Sequence, residues 1–232
     1  MAKYYSLANT TLADDFKAAL EDYYGDGVTI ESASGSTIIF QCPAVCDKVL
    51  KFVSTGGFNA FIGDTSASMI QFTFVYTGSG SSLNLILADS FILLDSLTNE
   101  HNTSALVAKL TNGRYMVAGG NTTGSHGTYT QRSKCLFTNT MTTRPIRMIC
   151  PYSTGAKSNG KLCLFPSYLA DDTEVELNAD GTFASVPGLW LAPTTGTPVV
   201  GSNYYLSHSN LKGLSEEGVY CHTQKYVELE TE

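Results

Sequence analysis

The sequence predicts a mainly β protein, an antiparallel β-sandwich or barrel-like fold with one N-terminal amphipathic helix. Three observations predict it. Short runs rich in Val, Ile, Thr, Phe and Tyr recur about every ten residues from residue 28 onward. Two Asx-Gly pairs, Asn112-Gly113 and Asp180-Gly181, stand between such runs and suit the positive φ angles of tight hairpins. A helical period occurs near the start of the chain, in TTLADDFKAALEDYYGDG.

In that first segment Leu12, Phe16, Leu20 and Tyr23 recur at helical spacing. Thr11 is placed to cap the helix, and Asp14 and Asp15 fall in its first turn, where the helix dipole favours negative charge. Gly25 stands where a C-terminal cap is needed. Such a helix covers an end or edge of a β domain or docks on another subunit, and the sequence does not separate the two.

After Gly27 the period changes. The runs VTIES, STIIFQ, KVLKFVS, FNAFIG, MIQFTFVYT, SLNLILA, SFILLDS, ALVAKLT and RYMVAGG read as consecutive strands. A polar, glycine-rich stretch, GGNTTGSHGTYT, follows. Beyond it KCLFTNT, RPIRMICP, KLCLFP, TEVELNA, TFASVPGLWLA and NYYLS are again β in character, with prolines at or near their boundaries, as edge strands and loops tolerate. The organisation expected is a helical segment over 1–27, a β-sandwich-like domain over 28–120, and a second β-rich region over 121–232 that either stands apart or continues the first.

Composition narrows the function. Fourteen basic against twenty-one acidic residues give a net charge of −7, which opposes broad attraction to nucleic acid or anionic lipid. The local cluster Arg144, Arg147, Lys157 and Lys161 lacks the Gly-rich helix start or interleaved aromatics of a phosphate site and reads as a solvated face. MAKYYSLANTTLADDF carries no signal-peptide core, and the apolar stretch from Leu83 to Leu97 is broken by Asn84, Asp89, Ser90 and Asp95. Synthesis in the cytosol with no membrane span is the expectation.

No complete catalytic motif is present. The stretch 155–162, GAKSNGKL, approaches a P-loop but places Leu162 where a hydroxyl would hold magnesium, and Pro166 follows too soon for a helix. His101, His126 and His208 stand in polar contexts, and Asp171, Asp172, Glu174 and Glu176 read as a solvated strand face rather than as a glycosidase pair. No nucleophile elbow, cofactor motif or metal-ligand spacing is found, so no catalytic residue, cofactor or metal is expected. The six cysteines, Cys42, Cys46, Cys135, Cys150, Cys163 and Cys221, read as packed thiols in a reducing compartment. In QCPAVC, Pro43 disfavours an unbroken strand, so the chain is expected to bend between Cys42 and Cys46.

The stretch ALVAKLTNGRYMVAGGNTT, Ala105 to Thr123, resembles strand and Asx-Gly-turn segments of bacteriophage and prophage virion proteins, especially tail and fibre components. LCLFPSYLADDTEVELNADGTFASVPGLWLAP, Leu162 to Pro193, is similar to the short Thr/Gly-rich β modules of the same proteins. The resemblance implies a non-enzymatic virion subunit, assembled in the bacterial cytoplasm and placed in a homo-oligomer among other virion subunits. Interface anchors are sought among Tyr4, Tyr5, Tyr23, Tyr24, Trp190, Tyr204 and Tyr205, because Tyr and Trp often anchor interfaces. The alternative is a carbohydrate- or receptor-binding β module that stacks a host-surface glycan on Trp190, Tyr204 and Tyr205 with Asn203 at the rim.

Overall fold

The structure is a computed structural model of the 232-residue chain, and it describes residues 1–8, 10–54, 58–75, 82–96, 103–121, 134–137, 143–145, 147–150, 163–165, 169–171, 174–175, 177–182, 184–192, 199–215 and 220–231. The elements run β1 (Ala2–Ala8), α1 (Leu12–Tyr24), a 3-10 turn (Gly25–Gly27), β2 (Thr29–Ser34), β3 (Thr37–Gln41), β4 (Val49–Ser54), β5 (Phe58–Thr65) and β6 (Ser68–Val75). Then follow β7 (Ser82–Ala88), β8 (Phe91–Ser96), β9 (Thr103–Lys109), β10 (Tyr115–Asn121), β11 (Lys134–Phe137) and β12 (Thr143–Pro145). The last group is β13 (Arg147–Cys150), β14 (Cys163–Phe165), β15 (Leu169–Asp171), β16 (Glu174–Val175), β17 (Val186–Ala192), β18 (Val199–Val200), β19 (Tyr204–Ser215) and β20 (Tyr220–Glu228).

These strands form three sheets: β2-β3-β4-β5-β6, β1-β7-β8-β9-β10-β11-β12, and β14-β17-β20-β19-β13-β15-β16 with β18 beside β19. The pairing is antiparallel except where β13 runs parallel to β19 and Ala2 bridges Leu229. The mainly β fold with one short N-terminal helix is thus the observed one.

The seven-stranded sheet is covered on both faces, which explains why SLNLILA and SFILLDS are nearly continuous apolar runs. On β7, Leu83, Leu85 and Leu87 join one core, whereas Ile86 and Ala88 join a second. On β8, Ile92 and Leu94 face the first core and Phe91 and Leu93 the other. The first core takes Ile38, Phe40, Leu50, Phe52, Ile62 and Phe72 from the five-stranded sheet, and the second takes Val186, Leu189, Tyr205 and Val227 from the eight-stranded sheet.

Helix α1 packs one face into the first core and leaves Asp14, Ala18, Glu21 and Asp22 exposed. Leu12, Ala13, Phe16, Ala19 and Leu20 are buried, and the Phe16 ring meets Phe40 and Phe52 edge-on at 5.6 and 5.1 Å. Burying a side chain of that size contributes about 1.5–3 kcal/mol. Gly25 ends the helix at φ 53, where its N–H donates to Glu21 O. The N-terminus differs from expectation: the Thr11 side chain caps no backbone N–H. Instead the Thr11 hydroxyl donates to Asp15 Oδ2 at 2.7 Å, and the same oxygen accepts the Ala8 N–H at 3.2 Å, so the carboxylate reaches back across the turn.

Strand β1 has no counterpart in the sequence reading. It precedes the helix and pairs with β7 over seven positions, from Ala2 opposite Ala88 to Ala8 opposite Ser82. At the other end of the middle region the sheet passes residue 120 without a break, since β10 pairs with both β9 and β11.

Both Asx-Gly turns form, with Gly113 at φ 82 and Gly181 at φ 81. The first closes the β9-β10 hairpin as expected. The second closes no long hairpin, because β16 pairs with β15 and the chain after the turn goes on to β17. Its 177–182 segment docks on the first turn instead. Thr111 Oγ1 donates to Asn178 Oδ1 at 2.8 Å, Asn112 Nδ2 donates to Leu177 O at 3.2 Å, and Thr111 N donates to Ser185 O at 2.9 Å.

Candidate functional surface

The eight candidate side chains fall into three groups. Tyr4 and Tyr205 meet between the central and eight-stranded sheets, with rings stacked at 6.1 Å and 22°. The Tyr4 hydroxyl donates to Asn84 Oδ1 at 2.6 Å, and the Tyr205 hydroxyl donates to Asp95 Oδ2 at 2.9 Å. Asn84 and Asp95 are themselves opposite one another across β7 and β8, and both are buried. A buried carboxylate needs donors aimed at it, and the Tyr205 hydroxyl is one of them. Among the described residues no hydrogen-bond partner reaches Asn84 Nδ2. The cluster fixes how the eight-stranded sheet sits on the central one. Tyr205 is 0% exposed, so it serves the core and offers no surface to a partner.

Tyr5, Tyr23 and Tyr24 tie α1 to the central sheet. The Tyr5 hydroxyl donates to Asp22 Oδ2 at 2.7 Å, beside the Lys3 ammonium at 2.6 Å from the same oxygen. Tyr23 donates to Met1 O at 2.5 Å and Asp89 Oδ1 at 3.1 Å, and Tyr24 donates to Ala88 O at 2.7 Å. Burial holds all three phenols above the ordinary tyrosine range, with the Asp22 carboxylate adding to it at Tyr5 and Asp89 at Tyr23. Their hydroxyls are committed within the chain.

The third group faces outward. Leu189, Val227 and Tyr205 are paired in register across β17, β20 and β19 and are fully buried, so the next residues in each strand turn to the opposite face. There Trp190 stands opposite Tyr226, which stands opposite Leu206, all half-buried. Tyr204 lies diagonal to Tyr226, and their rings stack at 5.9 Å and 17°. Burial raises the Tyr226 phenol, with the Glu228 carboxylate and Tyr204 adding to it.

Gly201 sets the Tyr204 ring in place. A Cβ at residue 201 would stand 2.5 Å from Tyr204 Cε1, so the ring lies directly on the glycine backbone, and Gly201 N donates to Tyr204 O at 2.8 Å. Asn203 is exposed at the edge of this row, its carbonyl accepting the Leu229 N–H at 3.0 Å. Tyr226 was absent from the candidates drawn from sequence. The alternation of Tyr226 and Glu228 with Val227 and Leu229 in KYVELETE was the signal that could have placed it on an outer face.

The two described thiols sit where the chain bends. Val45 N and Cys46 N both donate to Cys42 O, at 3.0 and 3.1 Å, so the backbone turns at Pro43. Cys42 and Cys46 are free and buried, and burial pushes them up to about 11 and about 12. Among the described residues no group of three or more His, Cys, Asp or Glu is gathered as a metal site would need, and no helix is long and apolar enough to cross a membrane.

His101, His126, Asp172, Glu176 and the whole near P-loop, 155–162, with Lys157, Lys161 and Leu162, lie outside the described residues, as do the side chains of Arg144, Arg147, Asp171, Glu174, His208, Cys135, Cys150, Cys163 and Cys221. No known family, curated protein or solved structure matches the chain.

Proposed function

We propose that the protein is a non-enzymatic structural subunit of a phage or phage-like particle, a tail, fibre or other virion component, that works by holding its place among other subunits. The observation that carries this reading is the outward row of Trp190, Tyr226 and Tyr204 on the eight-stranded sheet, with Tyr204 held between Gly201 and Tyr226. Fixed aromatic side chains lose little rotamer freedom on contact, and Trp and Tyr dominate the energetics of protein interfaces. The remaining candidate tyrosines are engaged inside the chain, which leaves this row as the contact surface. The resemblance of Ala105 to Thr123 and Leu162 to Pro193 to virion β modules supports the same reading, and their two Asx-Gly turns are docked together into one unit.

Size-exclusion chromatography with light scattering tests it. A defined oligomer is expected, and a protein that stays strictly monomeric and resists protease as it is concentrated counts against the proposal.

A second reading, a carbohydrate- or receptor-binding module, is favoured by the same row, because Trp and Tyr faces stack on sugar rings and Asn203 stands exposed at the edge. A glycan array separates the two. Saturable binding abolished by Trp190→Ala in a folded protein would favour the glycan, and no binding alongside a stable oligomer would favour assembly.

A further inference from the structure

We propose that Asn112 is a gated deamidation site, and that its conversion to aspartate or isoaspartate loosens the 177–186 segment from the central sheet. The chemistry needs only water. The Gly113 amide nitrogen attacks Asn112 Cγ, giving up its proton to solvent; the side-chain nitrogen leaves as ammonia and a five-membered succinimide remains. Water then opens either carbonyl of the ring, leaving an aspartyl or an isoaspartyl residue. Net, one water is consumed and one ammonia released. An asparagine followed by glycine suits this reaction because no side chain at residue 113 hinders the approach.

In the folded protein each reacting group is held. The Gly113 N–H donates to Leu110 O at 2.9 Å. Asn112 Oδ1 accepts the Arg114 N–H at 3.0 Å, and Asn112 Nδ2 donates to Leu177 O at 3.2 Å. Turning Cγ onto the Gly113 nitrogen therefore breaks the bonds at both ends of the side-chain amide. One of those bonds crosses to the docked turn. That joint is held further by Thr111 Oγ1, which donates to Asn178 Oδ1 at 2.8 Å and accepts the Ser185 N–H at 3.1 Å. The reaction thus waits on the joint opening. Once it has occurred, a carboxylate replaces the amide that donated to Leu177 O, and two acceptors face each other across the joint, so closure is weakened.

The test incubates the full chain in warm, mildly alkaline buffer and follows Asn112 by peptide mapping and mass spectrometry, which separates it from Asn159-Gly160, the other Asn-Gly pair. The reference is a synthetic peptide spanning 108–116. A second sample carries Thr111→Val, which removes both hydroxyl bonds and leaves Asn112-Gly113 intact. The native chain should deamidate at residue 112 about tenfold more slowly than the peptide or slower still, a factor equal to about 1.4 kcal/mol of opening. Thr111→Val should move the rate toward the peptide's, and the converted protein should show faster amide exchange over 177–186. A native rate equal to the peptide's, or a folded Thr111→Val variant that deamidates no faster than wild type, would overturn the gating. Unchanged exchange over 177–186 after conversion would overturn the loosening.

Discussion

Replacing Tyr205 with phenylalanine removes one oxygen from the buried Tyr4, Asn84, Asp95, Tyr205 cluster and leaves the ring stack on Tyr4 in place. The lost bond is the 2.9 Å donation to the Asp95 carboxylate, with the hydroxyl's residue 0% and its acceptor 3% exposed. A hydrogen bond to a charged group contributes about 1.5–3 kcal/mol. The matched control is Tyr4→Phe, which removes a 2.6 Å donation to a neutral amide from a half-buried ring and should cost about 0.5–1.5 kcal/mol. Urea unfolding followed by two probes measures both. With a slope of about 2–3 kcal/mol per M, Tyr205→Phe should lower the midpoint by about 0.5–1.5 M, and Tyr4→Phe by less. The double variant should depart from additivity, because the two rings stack and their acceptors face each other across β7 and β8. A Tyr205→Phe midpoint no lower than that of Tyr4→Phe would refute the idea that this cluster fixes the docking of the two sheets.

Two further outcomes follow from the same geometry. Cys42 and Cys46 are held above the ordinary thiol pKa of 9.0, at about 11 and about 12, so the unfolded chain releases these protons first. Their stabilisation is whole below about pH 9 and is lost as pH rises through the folded values; Cys46→Ala should flatten the fall of melting temperature over that window, and an unchanged slope would contradict it. Gly201→Ala should drive the Tyr204 ring off its seat and away from Tyr226, changing the near-UV circular dichroism while the far-UV spectrum stays the same; an unchanged near-UV spectrum would count against the packing described.

Much of the fold was legible because it rests on local signals. The Val-, Ile-, Thr-, Phe- and Tyr-rich runs locate β2 through β10, the Asx-Gly pairs locate their turns, and Leu12, Phe16 and Leu20 mark the buried face of α1. The turn at Pro43 was legible for the same reason. Strand β1 was not, because its partner β7 lies far along the chain and KYYSLA has no turn signal to mark it as one arm of a hairpin. Nor could the sequence reveal that the central sheet is covered twice, since a continuous apolar run does not say which neighbours cover it. The candidate surface was half legible. Trp190 and Tyr204 were named, but Tyr205 next to Tyr204 points to the core, and that choice of face depends on how the eight-stranded sheet docks. The alternation in KYVELETE marks an outer face for Tyr226, but its place between Trp190 and Tyr204 depends on β20 lying between β17 and β19.

The most direct test of the proposed role is sedimentation velocity of the wild-type chain against a Trp190→Ala, Tyr226→Ala double variant over a wide range of concentration. The proposal predicts a defined oligomer for wild type and a folded monomer, with unchanged far-UV spectrum, for the variant. A wild type that remains monomeric throughout, or an oligomer that persists unchanged in the folded variant, would contradict it.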